Sequence, residues 1–299
     1  MKKVLSISAI LFASCLSVTN ATAEDTPAPE AAAAPDTGPV TANVTLASQY
    51  RYRGISQTNS APAIQGGFDY AHESGFYLGN WNSSISWMSD NYSASPAQLS
   101  PAVPGLTAPI EMDFYGGYKT EIVKDLTLDV GLLEYYYPTK NLPTKTTYTA
   151  AGVTTTTFGT SFTGRQTQGN SANTTEIYAG ATYAFATFKY SYALTNLFGI
   201  DNSKGSSYYD LSLNYDTGFE GVTLNGHVGR QVVTNTPSFA KEPSFSYTDW
   251  KLGLTKDMGH GMSAAFAYIS TNALNAAYFN TSLANTGKGT AFASLTKTF

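Results

Sequence analysis

From Val40 onward, apolar and polar residues alternate with a period of two in one segment after another. In the first segment Ala42, Val44, Leu46, Tyr50 and Tyr52 alternate with Thr41, Asn43, Thr45, Gln49, Arg51 and Arg53. Ile64, Phe68 and Tyr70 alternate with Gln65, Gly67 and Asp69, and Met112, Phe114 and Tyr118 with Glu111, Asp113 and Lys119. Leu211, Leu213 and Tyr215 alternate in the same way with Asp210, Ser212 and Asn214. This is the period of a strand whose two faces meet different surroundings. About twelve such segments are read, near Val40, Ala63, Gly75, Ile110, Leu126, Thr174, Phe185, Ser207, Val222, Tyr247, Met262 and Gly289, and an even number is what a single-chain bacterial barrel requires.

The connections alternate in length. Short ones carry turn residues, at 72–75, 119–125, 184–186, 216–221 and 257–261; long ones rich in Ser, Thr, Asn, Gly and Pro fill 54–61, 88–109, 138–173, 196–206, 233–246 and 272–288. Short periplasmic turns against long extracellular loops are the asymmetry of an outer-membrane barrel, and they place both chain ends in the periplasm. A soluble β-sandwich has no reason to alternate loop lengths. The pattern therefore predicts an all-β fold, a transmembrane antiparallel β-barrel of about 12 strands over residues 40–299. The last segment ends at Phe299, with Ala291, Ala293 and Leu295 on the same parity, as in the C-terminal aromatic strand by which barrel-assembly machinery recognises its clients.

Composition sharpens this picture. Charged residues are 13%, against roughly 25% in soluble domains, while aromatics also reach 13%, with 21 tyrosines. After residue 23 no apolar run is long enough for a transmembrane helix, and helices and closed barrels are the two structures that satisfy every backbone group in hydrocarbon. At the N-terminus Lys2 and Lys3 precede an apolar run to Val18, and Ala21-Thr22-Ala23 supplies small cleavage residues. Residues 1–23 read as a signal peptide, with the Pro/Ala-rich stretch 24–39 as a disordered periplasmic leader. Phe12-Ala13-Ser14-Cys15 loosely resembles a lipoprotein box, the rival processing. Cleavage after Ala23 removes Cys15, the one cysteine, and with Lys2 and Lys3 takes the formal charge from -4 to -6. A disulfide or thiolate site is then impossible, and the lack of clustered Lys and Arg argues against nucleic acid.

Several blocks also carry a resemblance. Residues 48–58 (SQYRYRGISQT), 62–70 (PAIQGGFDY) and 74–81 (SGFYLGNW) are similar to the opening of the TorF-type porins of proteobacteria, formerly conserved proteins of unknown function. Further matches lie at 111–118, at 129–131 with 135–138, and at 247–253, so the resemblance covers most of the mature chain; the Thr-rich loop at 138–173 departs from the pattern. It implies a porin without supplying a substrate.

The function expected is passive diffusion of small hydrophilic solutes or ions through the lumen. Taking the face opposite the apolar parity, the candidate pore-lining residues are Arg51, Arg53, Asp69, Glu111, Asp113, Asp129, Glu176, Lys189, Asp210, His227, Asp249 and Lys251. Seven acids against four bases, with His227 neutral, predict a weak cation preference, and the Arg51 and Arg53 row facing carboxylates such as Asp69 predicts a transverse field. Parity turns Glu134 to the lipid side. Tyr50, Tyr52, Trp81, Trp87, Tyr135, Tyr137, Tyr190, Tyr192 and Trp250 read as an interfacial girdle in preference to a carbohydrate-stacking slide.

Two other classes compete. One is a plugged structural or adhesive barrel acting through its loops, with 138–173 as the candidate plug; the other is an outer-membrane lipid hydrolase. For the latter, His72 and His260 fall in turns, His227 within a strand, and no Gly-x-Ser-x-Gly elbow, zinc spacing or Walker loop is present. No cofactor is expected. The partners expected are outer-membrane lipid and lipopolysaccharide, the assembly machinery through Phe299, and small solutes; the oligomeric state is left open.

Overall fold

The computed structural model describes residues 39–92, 108–139, 141, 145–150, 153–158, 171–200, 202–234, 244–275, 277–278, 280 and 284–299. The residues expected to form a signal peptide and leader, up to residue 38 and including Cys15, lie outside the described residues, as does half of the 138–173 loop.

Twelve strands close a single antiparallel barrel. In chain order the first are β1 (Val40–Ala47), then, after the short pair β2 (Arg51–Tyr52) and β3 (Ile55–Ser56), β4 (Ala63–Ala71) and β5 (Phe76–Ser84). A short helix α1 (Trp87–Tyr92) precedes β6 (Ile110–Val123) and β7 (Leu126–Tyr136). A separate hairpin, β8 (Lys145–Ala150) with β9 (Val153–Phe158), leads to β10 (Thr174–Tyr183) and β11 (Ala186–Ala193). The wall finishes with β12 (Ser207–Asp216), β13 (Val222–Val232), β14 (Tyr247–Gly259), β15 (Met262–Thr271) and β16 (Thr290–Thr298). Apart from the two short pairs, each strand bonds to its neighbours in sequence, and β1 meets β16 with Leu46 opposite Leu295 and Asn43 opposite Thr298. All twelve alternating segments of the sequence are barrel strands.

The alternation divides the wall as expected. Leu46, Ile64, Phe68, Phe114, Leu132, Leu211, Leu252 and Phe266 are exposed on the outside, whereas Gln65, Asp69, Glu111, Asp113, Glu176, Asp249 and Lys251 are buried inside. Closure leaves no edge with unpaired backbone groups, so the apolar outer band can lie in hydrocarbon. Turns at one end are tight. His260 and Gly261 join β14 to β15 with φ of 55 and 71, the left-handed pair of a hairpin turn matched to strand twist.

The interior is dressed differently at its two ends. Towards the short-turn end, small polar pairs line the wall: Thr45 with Thr296 at 2.8 Å, Thr182 with Thr187 at 3.0 Å, Asn225 with Asn214 at 2.9 Å. Further towards the loops, inward tyrosines lie over cross-strand glycines. A Cβ on Gly117 would come within 2.5 Å of the Tyr77 hydroxyl and 2.4 Å of the Val130 carbonyl, so the tyrosine occupies the space a side chain would need.

Candidate functional site

The first long connection turns inward instead of extending outward. The alternating run Tyr50-Arg51-Tyr52-Arg53 reads as a continuation of the first strand, but β1 ends at Ala47. The chain then doubles back: the Thr58 hydroxyl accepts the Tyr50 N–H at 3.0 Å, the Gln57 N–H bonds the Tyr50 carbonyl, and Arg53 and Gly54 turn the tip with φ of 46 and 75. A Cβ on Gly54 would fall 2.4 Å from Thr271 Cγ2 and 2.9 Å from Asp249 Cβ, so the tip packs against β15 and β14, two and three strands round the wall from β1. The hairpin 48–61 thus lies inside the barrel, and Tyr50, Arg51, Tyr52, Arg53 and Ile55 are all buried.

Its two arginines do different work. Arg51 Nε donates to Gln49 Oε1 at 2.8 Å, and Nη1 donates to the carbonyls of Gly54, Thr286 and Lys288 at 2.9, 2.8 and 3.2 Å, which fixes the hairpin's own shape to the connection before β16. Burial lowers the Arg51 guanidinium to about 10, which leaves it a cation at neutral pH. Arg53 reaches across the lumen: Nη2 lies 2.8 Å from Glu176 Oε2 on β10 and Nη1 donates to Gln231 Oε1 on β13 at 2.7 Å. Its guanidinium carbon stands 4.2 Å from the Tyr208 ring centroid and 4.8 Å from that of Tyr52. Burial works against the charge, but the Glu176 carboxylate outweighs it and holds the guanidinium well above its ordinary range.

The facing wall is acidic. Tyr50 Oη and Tyr137 Oη each donate to Glu111 at 2.5 Å, one to each carboxylate oxygen. Burial, then the Glu111 carboxylate, raise both phenols, so they remain neutral donors. Asp113 is fully buried, and among the described residues neither carboxylate oxygen has a hydrogen-bond partner. Asp69 and Asp129 accept from Tyr115 and Tyr77 at 2.5 and 2.6 Å. Asp69 is therefore held by a neighbouring tyrosine and does not face the arginine row; Glu176 takes that place.

On the opposite side His227 bridges two carboxylates, with Nδ1 at 3.1 Å from Asp210 and Nε2 at 3.1 Å from Asp249. Tyr208 Oη donates to Asp249 at 2.7 Å, and Lys189 stands over the Tyr178 ring at 5.3 Å. Lys251 is buried opposite His227. Ser212 Oγ lies 3.3 Å from His227 Nδ1 but donates to Asp210 at 2.8 Å. With both ring nitrogens against carboxylates, neither is a free base for a serine nucleophile.

Ten of the twelve residues singled out in the sequence lie on the inner face of wall strands, whereas Arg51 and Arg53 lie on the hairpin inside the wall; nine of the twelve are buried and Asp129, Lys189 and Asp210 half-buried. Glu134 shares the outward parity of Leu132 and Tyr136 and accepts a bond from Thr175. The aromatic girdle is corrected. Tyr190, Tyr192 and Trp250 lie on the outer face, but Tyr50, Tyr52, Trp81, Tyr135 and Tyr137 are buried inside, and Trp87 packs edge-on against Tyr137. With Phe198 these rings form edge-to-face contacts around the hairpin. A cavity of about 60 Å³ lies among Tyr52, Trp87, Tyr137, Phe198, Tyr247 and Tyr278. The inward tyrosines Tyr77, Tyr115, Tyr178 and Tyr208 were missed, although each sits on the polar parity of its strand and is legible there. The expectation that the 138–173 loop plugs the lumen falls partly outside the described residues, which include its hairpin strands β8 and β9.

A closed twelve-strand barrel with an apolar outer face and a charged interior defines a bacterial outer-membrane β-barrel protein. The chain belongs to the Gcw_chp family of bacterial proteins of unknown function, whose profile matches residues 30–163 and 144–299. No curated protein matches it. Among solved structures it is similar to the KdgM porin, at 6% identity and a TM-score of 0.47 over 87% of this chain and 99% of that one. It is also similar to the NanC porin, at 9% identity and 0.44 over 86% and 97%. The outer-membrane protein OprD from Pseudomonas aeruginosa matches at 12% and 0.33 over 86% and 64%.

Proposed function

We propose that the protein is an outer-membrane channel for small hydrophilic solutes and ions, weakly cation-preferring, whose lumen is closed on the extracellular side by the hairpin 48–61. On this reading it is a porin of the TorF type, embedded in outer-membrane lipid and lipopolysaccharide and delivered by the assembly machinery through Phe299. The observation that carries it is the Arg53–Glu176 contact: beside the hydrogen bonds from Tyr50 to Glu111, Tyr52 to Tyr135 and Arg51 to the 286–288 connection, it is the ion pair that holds the hairpin to β10, and the wall around it is lined with charge. Seven carboxylates against four bases among the lumen residues give the cation preference.

Reversal potentials of refolded protein in planar bilayers under a salt gradient test it. Arg51→Ala with Arg53→Ala is expected to shift the preference towards cations, and Glu111→Gln with Asp113→Asn towards anions. Shifts of the opposite sign, or none, would remove these residues from the permeation path. A second reading has its own support in the buried state of the hairpin: a permanently plugged barrel acting through its loops. Folded wild-type and Arg53→Ala proteins that both fail to conduct would establish it.

A further inference from the structure

Asp113 poses a separate problem. It lies inside the barrel wall with 0% exposure, and among the described residues neither carboxylate oxygen has a hydrogen-bond partner. A buried ionised carboxylate without a partner is among the costliest groups a fold can hold. Its surroundings add to the cost of ionising it, since Glu111 lies two residues away on the same face. Both oxygens of Glu111 are taken by phenol hydroxyls and Glu176 by Arg53, which leaves Asp113 as the acid of this group whose oxygens have no hydrogen-bond partner among the described residues.

The neighbours of Asp113 say what would answer it. The strand register sets Trp81 of β5 directly opposite on one side and Tyr135 of β7 on the other, both buried on the same inner face. Directly paired residues bring their Cβ atoms to roughly 5 Å. Tyr50 stands edge-on to Trp81 with centroids 5.4 Å apart. A carboxylate between aromatic faces is a receptor for an organic cation, the rings contributing through their negative faces and the acid through its charge. The same chamber already holds one cation in this manner: the Arg53 guanidinium sits on the Glu176 carboxylate between the rings of Tyr52 and Tyr208. Among the described residues no group of three or more His, Cys, Asp or Glu side chains is arranged to hold a metal ion, so a multidentate metal cage is not the chemistry of the site.

We infer that Asp113, walled by Trp81 and Tyr135, is a binding site for a guanidinium- or ammonium-bearing solute at the constriction, reached when the hairpin 48–61 yields. The inference rests on the channel reading and names the class of solute that the constriction retains. Because the hairpin covers the site, the apparent affinity is the intrinsic affinity scaled by the fraction of molecules in which the hairpin is displaced. Loosening the Arg53 latch therefore tightens binding.

The experiment uses the full-length mature barrel in detergent micelles, with Trp87→Phe and Trp250→Phe leaving Trp81 as the reporter, titrated with methylguanidinium chloride against sodium chloride at equal ionic strength. A saturable change in tryptophan emission is expected, weakened at least tenfold in Asp113→Asn, retained in Asp113→Glu, and strengthened severalfold in Arg53→Ala. Folding of each variant is checked by its different migration in unboiled and boiled gels. A titration unchanged in Asp113→Asn, or reproduced by sodium, overturns the site. A barrel that does not conduct but shows the Asp113-dependent titration keeps the site and overturns the channel; one that conducts with an Asp113-independent titration does the reverse.

Discussion

At Gly117 the wall and the interior depend on the same few cubic ångströms, because Tyr77 lies where a methyl group would go and donates from there to Asp129 at 2.6 Å. Gly117→Ala is therefore expected to push the ring off its acceptor and to destabilise the barrel by roughly 1–3 kcal/mol, the usual cost of overpacking. Reversible urea unfolding in lipid vesicles measures it, and an unchanged midpoint would mean that Tyr77 moves aside freely. Asp113 should behave in the opposite sense. Asp113→Asn removes a buried, unpartnered carboxyl that can ionise at low cost only in the unfolded chain, so at pH 8 the same assay should show a gain of at least about 1 kcal/mol; a loss would reveal a cationic partner for the carboxylate in the resting barrel. Stability given up at a site in this way is common where a residue is kept for binding.

Among the elements, the strands were legible and the hairpin was not, for a definite reason. Two-residue periodicity reports that a segment has two unlike faces, as in Asp210 to Tyr215, where outward leucines and inward polar groups match lipid and lumen. In Tyr50-Arg51-Tyr52-Arg53 the same alternation continues past the end of β1, yet both faces are buried inside the barrel, the tyrosines against aromatic rings and the arginines against acceptors. Alternation cannot distinguish a wall from a segment folded within it. The turn that separates them depends on a positive φ at Arg53 as well as at Gly54, and arginine advertises no such turn. For the same reason Tyr50, Tyr52 and Tyr135 were read as interfacial: an aromatic residue looks alike in sequence whether it faces headgroups or a packed lumen. At the other end of the chain, Phe299 exchanges backbone hydrogen bonds with Ala42 across the seam that closes the barrel. Deleting Phe299 should lower the amount of folded protein in the outer membrane severalfold, scored as the heat-modifiable band in membrane fractions; undiminished abundance would show that the seam closes without it.

On the scale of the whole molecule, the closed barrel should migrate differently before and after boiling and give a β-sheet circular dichroism spectrum, and a helical spectrum would contradict the strand assignment. Within that rigid wall the hairpin is tethered at one mouth only, between β1 and β4, and it carries two guanidinium groups into the path. In the channel proposed above, such an arrangement would rectify. A unit charge carried across the full membrane exchanges about 2.3 kcal/mol with a 100 mV potential, so even a quarter of that travel gives each arginine about 0.6 kcal/mol. With the extracellular side positive the field seats the hairpin more deeply, and with the sign reversed it draws the hairpin outward. The current–voltage curve should therefore bend, passing more current at the second polarity, and Arg51→Ala with Arg53→Ala should straighten it into an ohmic line.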